Sequence, residues 1–221
     1  MIKVTVEDKK YKIPERFTLQ QWKEMVSWDF DQPQNWRRII EAGCGIPQAE
    51  LRGARADSLQ LFIGFIIAHM NQRREYELVD FNKLTFGQFV DLDCYIALGI
   101  DKNLEPMLDV LEVKPKWADE ALWMIDQYVM WRTTVYRQYK TLFGLNDKDF
   151  EDYQAEHGED WDPMSIPKGW YRIIVELANE NILNIDAVTD QPLKKVLNFM
   201  ALNKEKQLAE AEAIRKQRQV I

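Results

Sequence analysis

The sequence predicts a mainly α-helical fold: a helical bundle with a small N-terminal β-hairpin and an extended polar C-terminal helix. Three observations support this prediction. Apolar side chains recur every three to four residues along most of the chain, as in amphipathic helices. The first residues alternate between apolar and polar instead, which is typical of strands. The last residues are almost entirely polar and have high helix propensity.

The N-terminal alternation predicts two short strands. Ile2, Val4 and Val6 alternate with polar residues, and Tyr11 and Ile13 resume the alternation after a polar turn. The next residue is a proline, which ends the pattern. Because a lone hairpin is only marginally stable in water, we expect this one to pack against helices.

Two predicted helix starts share one pattern. Thr18 precedes Gln21 by three residues, and Thr85 precedes Gln88 by the same spacing. This is the spacing of a capping box, in which the Thr and Gln side chains satisfy backbone N–H groups reciprocally. Any capped amphipathic helix can show the pattern, and the alternative interpretation is one helix-start device used twice. The similarity is too short to predict a duplicated domain.

A linker at 113–116 suggests two regions, 1–112 with the hairpin and 113–221 with the long C-terminal helix, or else one continuous domain. A helix is predicted over 118–143, and its aromatic residues extend far around it. Such a helix is buried on several sides or shared with a partner. We therefore expect protein contacts at Trp123, Tyr128, Trp131, Tyr136 and Tyr139.

The last helix changes character along its length. Thr189 or Asp190 is expected to cap it, with a proline in its first turn. Its first half carries an apolar stripe. From Asn203 to Gln219 only Leu208, Ile214 and scattered alanines interrupt the polar residues. We expect a polar arm that binds a partner through Leu208 and Ile214, and the alternative is a solvated helical tail.

Charge and composition exclude some classes of function. The net charge is −7 and the pI is about 5.1, which argues against a general nucleic-acid binder. The longest apolar run, from Leu59 to Met70, is too short to span a bilayer, and no signal peptide is recognisable. We expect a soluble intracellular protein in which Cys44 and Cys94 are reduced thiols.

Catalytic and metal-binding motifs are missing from the sequence. It holds no zinc spacing, phosphate loop or nucleophile elbow, so we expect a protein that is not an enzyme and has neither cofactor nor metal. The acidic segment 147–162 suggests the alternative of a metal-dependent binder or an enzyme that also uses His157. This segment lacks the glycine and the closing glutamate of a calcium loop.

Several of these segments together resemble a known group of proteins. The hairpin, the Thr-x-x-Gln-aromatic helix start, the segment 84–92 and the segment 190–199 resemble proteins of the tail-gene clusters of large contractile-tailed bacteriophages. The resemblance is to their baseplate hub or tail assembly chaperones. It implies a non-enzymatic factor that binds a tail, hub or tape-measure protein in the host cytoplasm. The alternative that it implies is a minor structural component of the virion tail.

Overall fold

The computed structural model of the protein describes residues 2–6, 9–70, 72, 74, 76–145, 162 and 164–218. It confirms the predicted fold class, since the chain is mainly α-helical with a short N-terminal hairpin and a long polar C-terminal helix. None of the helices in these ranges combines the length and the apolar content needed to cross a bilayer.

The chain forms two compact units, and the division differs from the boundary suggested at residue 112. The first unit comprises Met1–Leu78 and Lys114–Asp126, and the second comprises Val79–Val113 and Gln127–Ile221. Residues just after the predicted linker belong to the first unit because they are bonded there. The Ala118 N–H donates to the Phe17 carbonyl at 2.9 Å.

The first unit contains the hairpin, three helices and the beginning of a fourth. Its elements are β1 (Ile2–Val6), β2 (Lys9–Ile13), α1 (Leu19–Val26), α2 (Trp36–Cys44) and α3 (Ala56–Met70), with 3₁₀ turns at Pro33–Asn35 and Gln48–Leu51. The strands are antiparallel, with Val4 opposite Tyr11. Ile13 is fully buried in the core of this unit, so the hairpin packs as expected. Gly45 ends α2 with a φ of 69°, which favours glycine.

The second unit is built from the remaining helices. They are α4 (Phe86–Leu98), α5 (Ile100–Val110), α6 (Ala118–Gln138, which begins in the first unit), α7 (Lys140–Phe143), α8 (Ser165–Leu177), α9 (Ile185–Thr189) and α10 (Leu193–Arg218). Two 3₁₀ turns lie at Phe81–Lys83 and Ile182–Asn184. Aromatic side chains from α4, α6 and α8 pack edge to face or tilted in its core.

The helix predicted over 118–143 is confirmed except at one residue, and the predicted cap of the last helix is wrong. The helix predicted over 118–143 is interrupted at Tyr139, where φ is −109° and ψ is 29°. Tyr139 is buried, and its hydroxyl donates to Asn198 Oδ1 at 2.7 Å. At this residue a tertiary contact accompanies the departure from helical backbone angles. Thr189 and Asp190 do not cap α10. The Thr189 hydroxyl donates to the Ile185 carbonyl at 3.2 Å, and both residues end α9 instead.

Both capping boxes are present, and each Gln makes one further bond. Besides accepting from the backbone N–H of its Thr, Gln21 donates through Nε2 to the Gly43 carbonyl at 3.2 Å. Gln88 donates in the same way to the Val110 carbonyl, also at 3.2 Å. Both acceptors lie 22 residues beyond the Gln, near the end of the next α-helix. Each bond therefore ties a capped helix to its successor.

A second backbone hydrogen bond is common to both helix starts, and it is made by the residue that precedes Thr18 or Thr85. The Phe17 carbonyl accepts from the first N–H of α6, on Ala118, at 2.9 Å. The Leu84 carbonyl accepts from the first N–H of α10, on Leu193, at 3.1 Å. Each unit thus has its own copy of this arrangement. The two helix starts therefore share not only the capping box but also these two tertiary hydrogen bonds, which favours the interpretation of one helix-start device used twice.

We expect loss of either Gln to destabilise the protein. Gln88→Ala and Gln21→Ala should each lower the free energy of unfolding by about 1–2 kcal/mol, because each removes the bond to the cap and the bond to the distant carbonyl. Urea denaturation measures this. Gln20→Ala on the exposed side of α1 is the control and should change stability by less than about 0.5 kcal/mol. Equal losses in Gln20→Ala and Gln21→Ala would contradict the prediction.

Candidate protein-binding surfaces

The aromatic residues predicted as protein contacts on α6 lie in several different environments. Tyr128 and Tyr139 are buried, so they offer no surface to a partner while the second unit is folded. The Tyr128 hydroxyl has no hydrogen-bond partner among the described residues, and burial raises its pKa well above its usual range. The structure therefore places these two side chains in the core.

The other three aromatic residues are half-buried. The Trp131 ring lies 5.6 Å from that of Phe81, and the Tyr136 ring lies 4.4 Å from that of Phe143. In the first unit, Trp123 meets Tyr76 edge to face at 5.8 Å. Each ring thus has an intramolecular neighbour, and protein binding by these residues stays a prediction.

A buried polar cluster lies at the centre of the second unit. Asp93 is fully buried and accepts hydrogen bonds from Arg132 Nε, from the Tyr136 hydroxyl at 2.9 Å and from Trp170 Nε1 at 2.6 Å. Three donors therefore occupy the carboxylate, and Arg132 also lies 4.6 Å from the centre of the Tyr136 ring. This arrangement makes Asp93 a structural link between α4, α6 and α8.

A cavity of about 570 Å³ borders this cluster. Its walls are largely apolar, with aliphatic and aromatic side chains, and the residues that line it come from α4 to α8 and their connections. The aliphatic residues include Ile96, Ile100, Val129, Leu145, Ile166 and Ile173. Among the described residues that line the cavity, the one carboxylate, that of Asp93, is already bonded to three donors.

Metal binding finds no support in the part of the chain that the structure describes. Within those residues, no three His, Cys, Asp or Glu side chains are grouped to hold an ion. The acidic segment 147–162 and His157 lie almost wholly outside the described residues, which include only its last residue, Asp162. Both cysteines are free thiols, and burial raises the pKa of Cys44 to about 12 and that of Cys94 to about 11.

The exposed side of α3 is apolar, which the sequence analysis missed. Leu61 is 61% exposed and Ile67 is 38% exposed, and Gly64 and Ala68 lie exposed between and beside them. The opposite side of α3 is buried in the core of the first unit. No charged residue occurs from position 58 to position 68. The apolar run from Leu59 to Met70 is the sequence signal for this surface, because it is too short to span a bilayer and longer than one buried side of a helix requires.

Gly64 lies at the centre of this exposed apolar surface of α3. A Cβ atom added there would meet no described atom within 4 Å, so nothing within the first unit requires a glycine. Glycine inside a helix is less stable than alanine by about 1 kcal/mol. The glycine leaves a notch between Leu61 and Ile67, three residues to either side.

The C-terminal part of α10 is the second exposed surface. Buried Leu193, Val196 and Leu197 anchor the beginning of the helix, whereas every residue from Lys204 to Gln217 is exposed. Leu208 is 49% exposed and Ile214 is 53% exposed, as predicted for a polar arm. A groove of about 430 Å³ follows the helix from Met200 to Glu210.

Comparison of the chain with protein-family models, with curated proteins and with solved structures found no match.

Proposed function

We propose that the protein is a non-enzymatic protein-binding factor in bacteriophage tail or baseplate hub assembly. Its partner is a tail, hub or tape-measure protein, and it acts in the host cytoplasm. The observation that carries the protein-binding part of this proposal is the exposed apolar side of α3. The assembly role and the class of partner come from the sequence resemblance.

The physical case for binding rests on uncompensated apolar surface. A helix at the surface of a globular protein ordinarily carries charged residues on its outer side. The outer side of α3 instead presents Leu61, Gly64, Ile67 and Ala68. Burying a leucine side chain contributes about 1.5–3 kcal/mol, so covering this surface supplies a useful part of a binding free energy.

Gly64 indicates how the partner binds. Its missing side chain leaves room for a partner backbone or a large apolar side chain to approach α3 closely. The partner surface is therefore an apolar helix or segment without charged residues at its centre. A glycine that weakens the helix locally is compatible with selection for such a contact.

The test is a comparison of variants in purifications from the native host. Tagged protein with Leu61→Glu should lose a stoichiometric tail, hub or tape-measure protein that the unaltered protein retains, as identified by mass spectrometry. Gln60→Glu adds the same charge at the neighbouring exposed position and is the matched control. It should retain most of the partner, because Gln60 lies at the polar end of the surface.

Gly64→Ala separates binding from folding. It should raise the free energy of unfolding by about 0.5–1 kcal/mol, because alanine favours the helix and has open space. The same variant should weaken binding by filling the notch. Retention of the partner by Leu61→Glu, or recovery of partners unrelated to tails, would overturn the proposal. Absence of the protein from purified particles would distinguish an assembly factor from a tail component.

A further inference from the structure

Within the part of the chain that the structure describes, no residue of the arm of α10 from Lys204 to Gln217 is buried, so packing supports this helix only weakly. The 14 residues from Lys204 to Gln217 span about 20 Å at the helical rise, and all are exposed. Isolated helices of this length are marginal in water. The arm has one intrahelical ion pair, Glu212 with Lys216 at 2.7 Å, among its described residues. Contact with another helix would supply the missing support.

When two copies of the arm are aligned antiparallel, positive residues of one copy lie opposite negative residues of the other. Lys204 precedes Leu208 by four residues, and Glu212 follows it by four. At 3.6 residues per turn, both lie within about 40° of Leu208 around the helix, so the three residues share one side. A two-fold axis at Leu208 places Lys204 of each copy opposite Glu212 of the other. A parallel pairing in the same register would instead oppose like charges.

The smaller residues on this side agree with the same pairing. Ala201, which is half-buried and lies just before the arm, precedes Leu208 by seven residues and is placed opposite Arg215, which follows Leu208 by seven. Ala211 is placed opposite Glu205 in the same way. Each long charged side chain therefore meets an alanine, which leaves space for its aliphatic part. Leu208 meets itself at the axis.

We propose that α10 is a self-association surface, in which the arms of two copies pair antiparallel around Leu208. The arm thus binds a second copy of this chain, because antiparallel pairing places Lys204 of each copy opposite Glu212 of the other. The contact is small and its ion pairs are exposed, so the dimer is weak and its dissociation constant rises with salt. This inference does not rest on the proposed function, which is carried by α3.

Sedimentation velocity of the full-length protein over a concentration series tests the pairing. Lys204→Glu should raise the dissociation constant about tenfold, because two attractive contacts become repulsive. Glu212→Lys should raise it at least as much, because this substitution also removes the intrahelical pair with Lys216. Lys206→Glu makes the same change of charge on the opposite side of the helix, and it should stay within about twofold of the unaltered protein.

Mixing the two weakened variants gives the decisive result. In a heterodimer of Lys204→Glu with Glu212→Lys, both cross-pairs unite opposite charges again. The mixture should therefore dimerise about as well as the unaltered protein, although neither variant does so alone. All these positions are exposed, and circular dichroism checks that the helix content is retained.

Any one of the following outcomes would overturn the inference. The unaltered protein could be monomeric throughout the series, its dimer could be indifferent to Lys204→Glu, or the mixture could associate no better than its components. If the protein is monomeric and its Leu208→Glu variant loses a tail protein, the arm binds that protein and not a second copy of the chain. This result also overturns the inference. The proposed function is judged separately, because Leu61→Glu alters α3 and leaves the arm unchanged.

Discussion

Asp93→Ala is expected to lower the free energy of unfolding by about 3–5 kcal/mol. The substitution removes the carboxylate to which Arg132, Tyr136 and Trp170 all donate. Arg132 is itself buried, and breaking a buried ion pair leaves a charge that is expensive to desolvate. Urea denaturation, followed by tryptophan fluorescence and circular dichroism, measures the loss.

Two further variants test the physical reason for this loss. Asp91→Ala removes an exposed carboxylate from the same helix and should change stability by less than about 0.5 kcal/mol. The double variant Asp93→Leu with Arg132→Met replaces both charges by apolar groups. It should recover only part of the stability, because it removes the unpaired charge but leaves the Tyr136 hydroxyl and the Trp170 indole N–H without their acceptor. Asp93→Ala within about 1 kcal/mol of the unaltered protein would contradict the central role of this carboxylate.

The features that the sequence predicted correctly are mostly local. A capping box is made by residues three apart, so Thr18 with Gln21 and Thr85 with Gln88 could be recognised from spacing alone. The bond from each Gln to a carbonyl 22 residues away could not, because backbone acceptors have no sequence signature. Asp93 illustrates the same limit, since its three partners lie 39 to 77 residues further along the chain.

The candidate surfaces depended even more on tertiary packing. Apolar periodicity predicts that a helix has a side to bury, but it does not say which helices cover one another. In both α6, with its aromatic residues, and α3, with its aliphatic residues, apolar side chains occupy most of the helix circumference. The structure buries Tyr128 and Tyr139 of α6 and leaves Leu61 and Ile67 of α3 exposed. The arm residues Leu208 and Ile214 were predictable because charged residues surround them.

Phe89→Ala is expected to cost about 3–5 kcal/mol of the free energy of unfolding, by loss of apolar burial and by the cavity left behind. Phe89 is fully buried, and its ring lies 5.8 Å from that of Trp170 and 6.2 Å from those of Trp131 and Tyr136. These aromatic contacts add to the loss beyond buried area. Tyr171→Ala on the exposed side of α8 is the control and should change stability by less than about 0.5 kcal/mol.

Trp22→Ala is the matched variant in the first unit. Trp22 follows Gln21 as Phe89 follows Gln88, and it too is buried. If the two helix starts are equivalent devices, the aromatic residue after each Gln fixes its helix to the core of its own unit. Trp22→Ala should then lose about 3–5 kcal/mol as well. A loss of less than about 1 kcal/mol would mean that the equivalence of the two starts ends at their hydrogen bonds and does not extend to the packing beneath them.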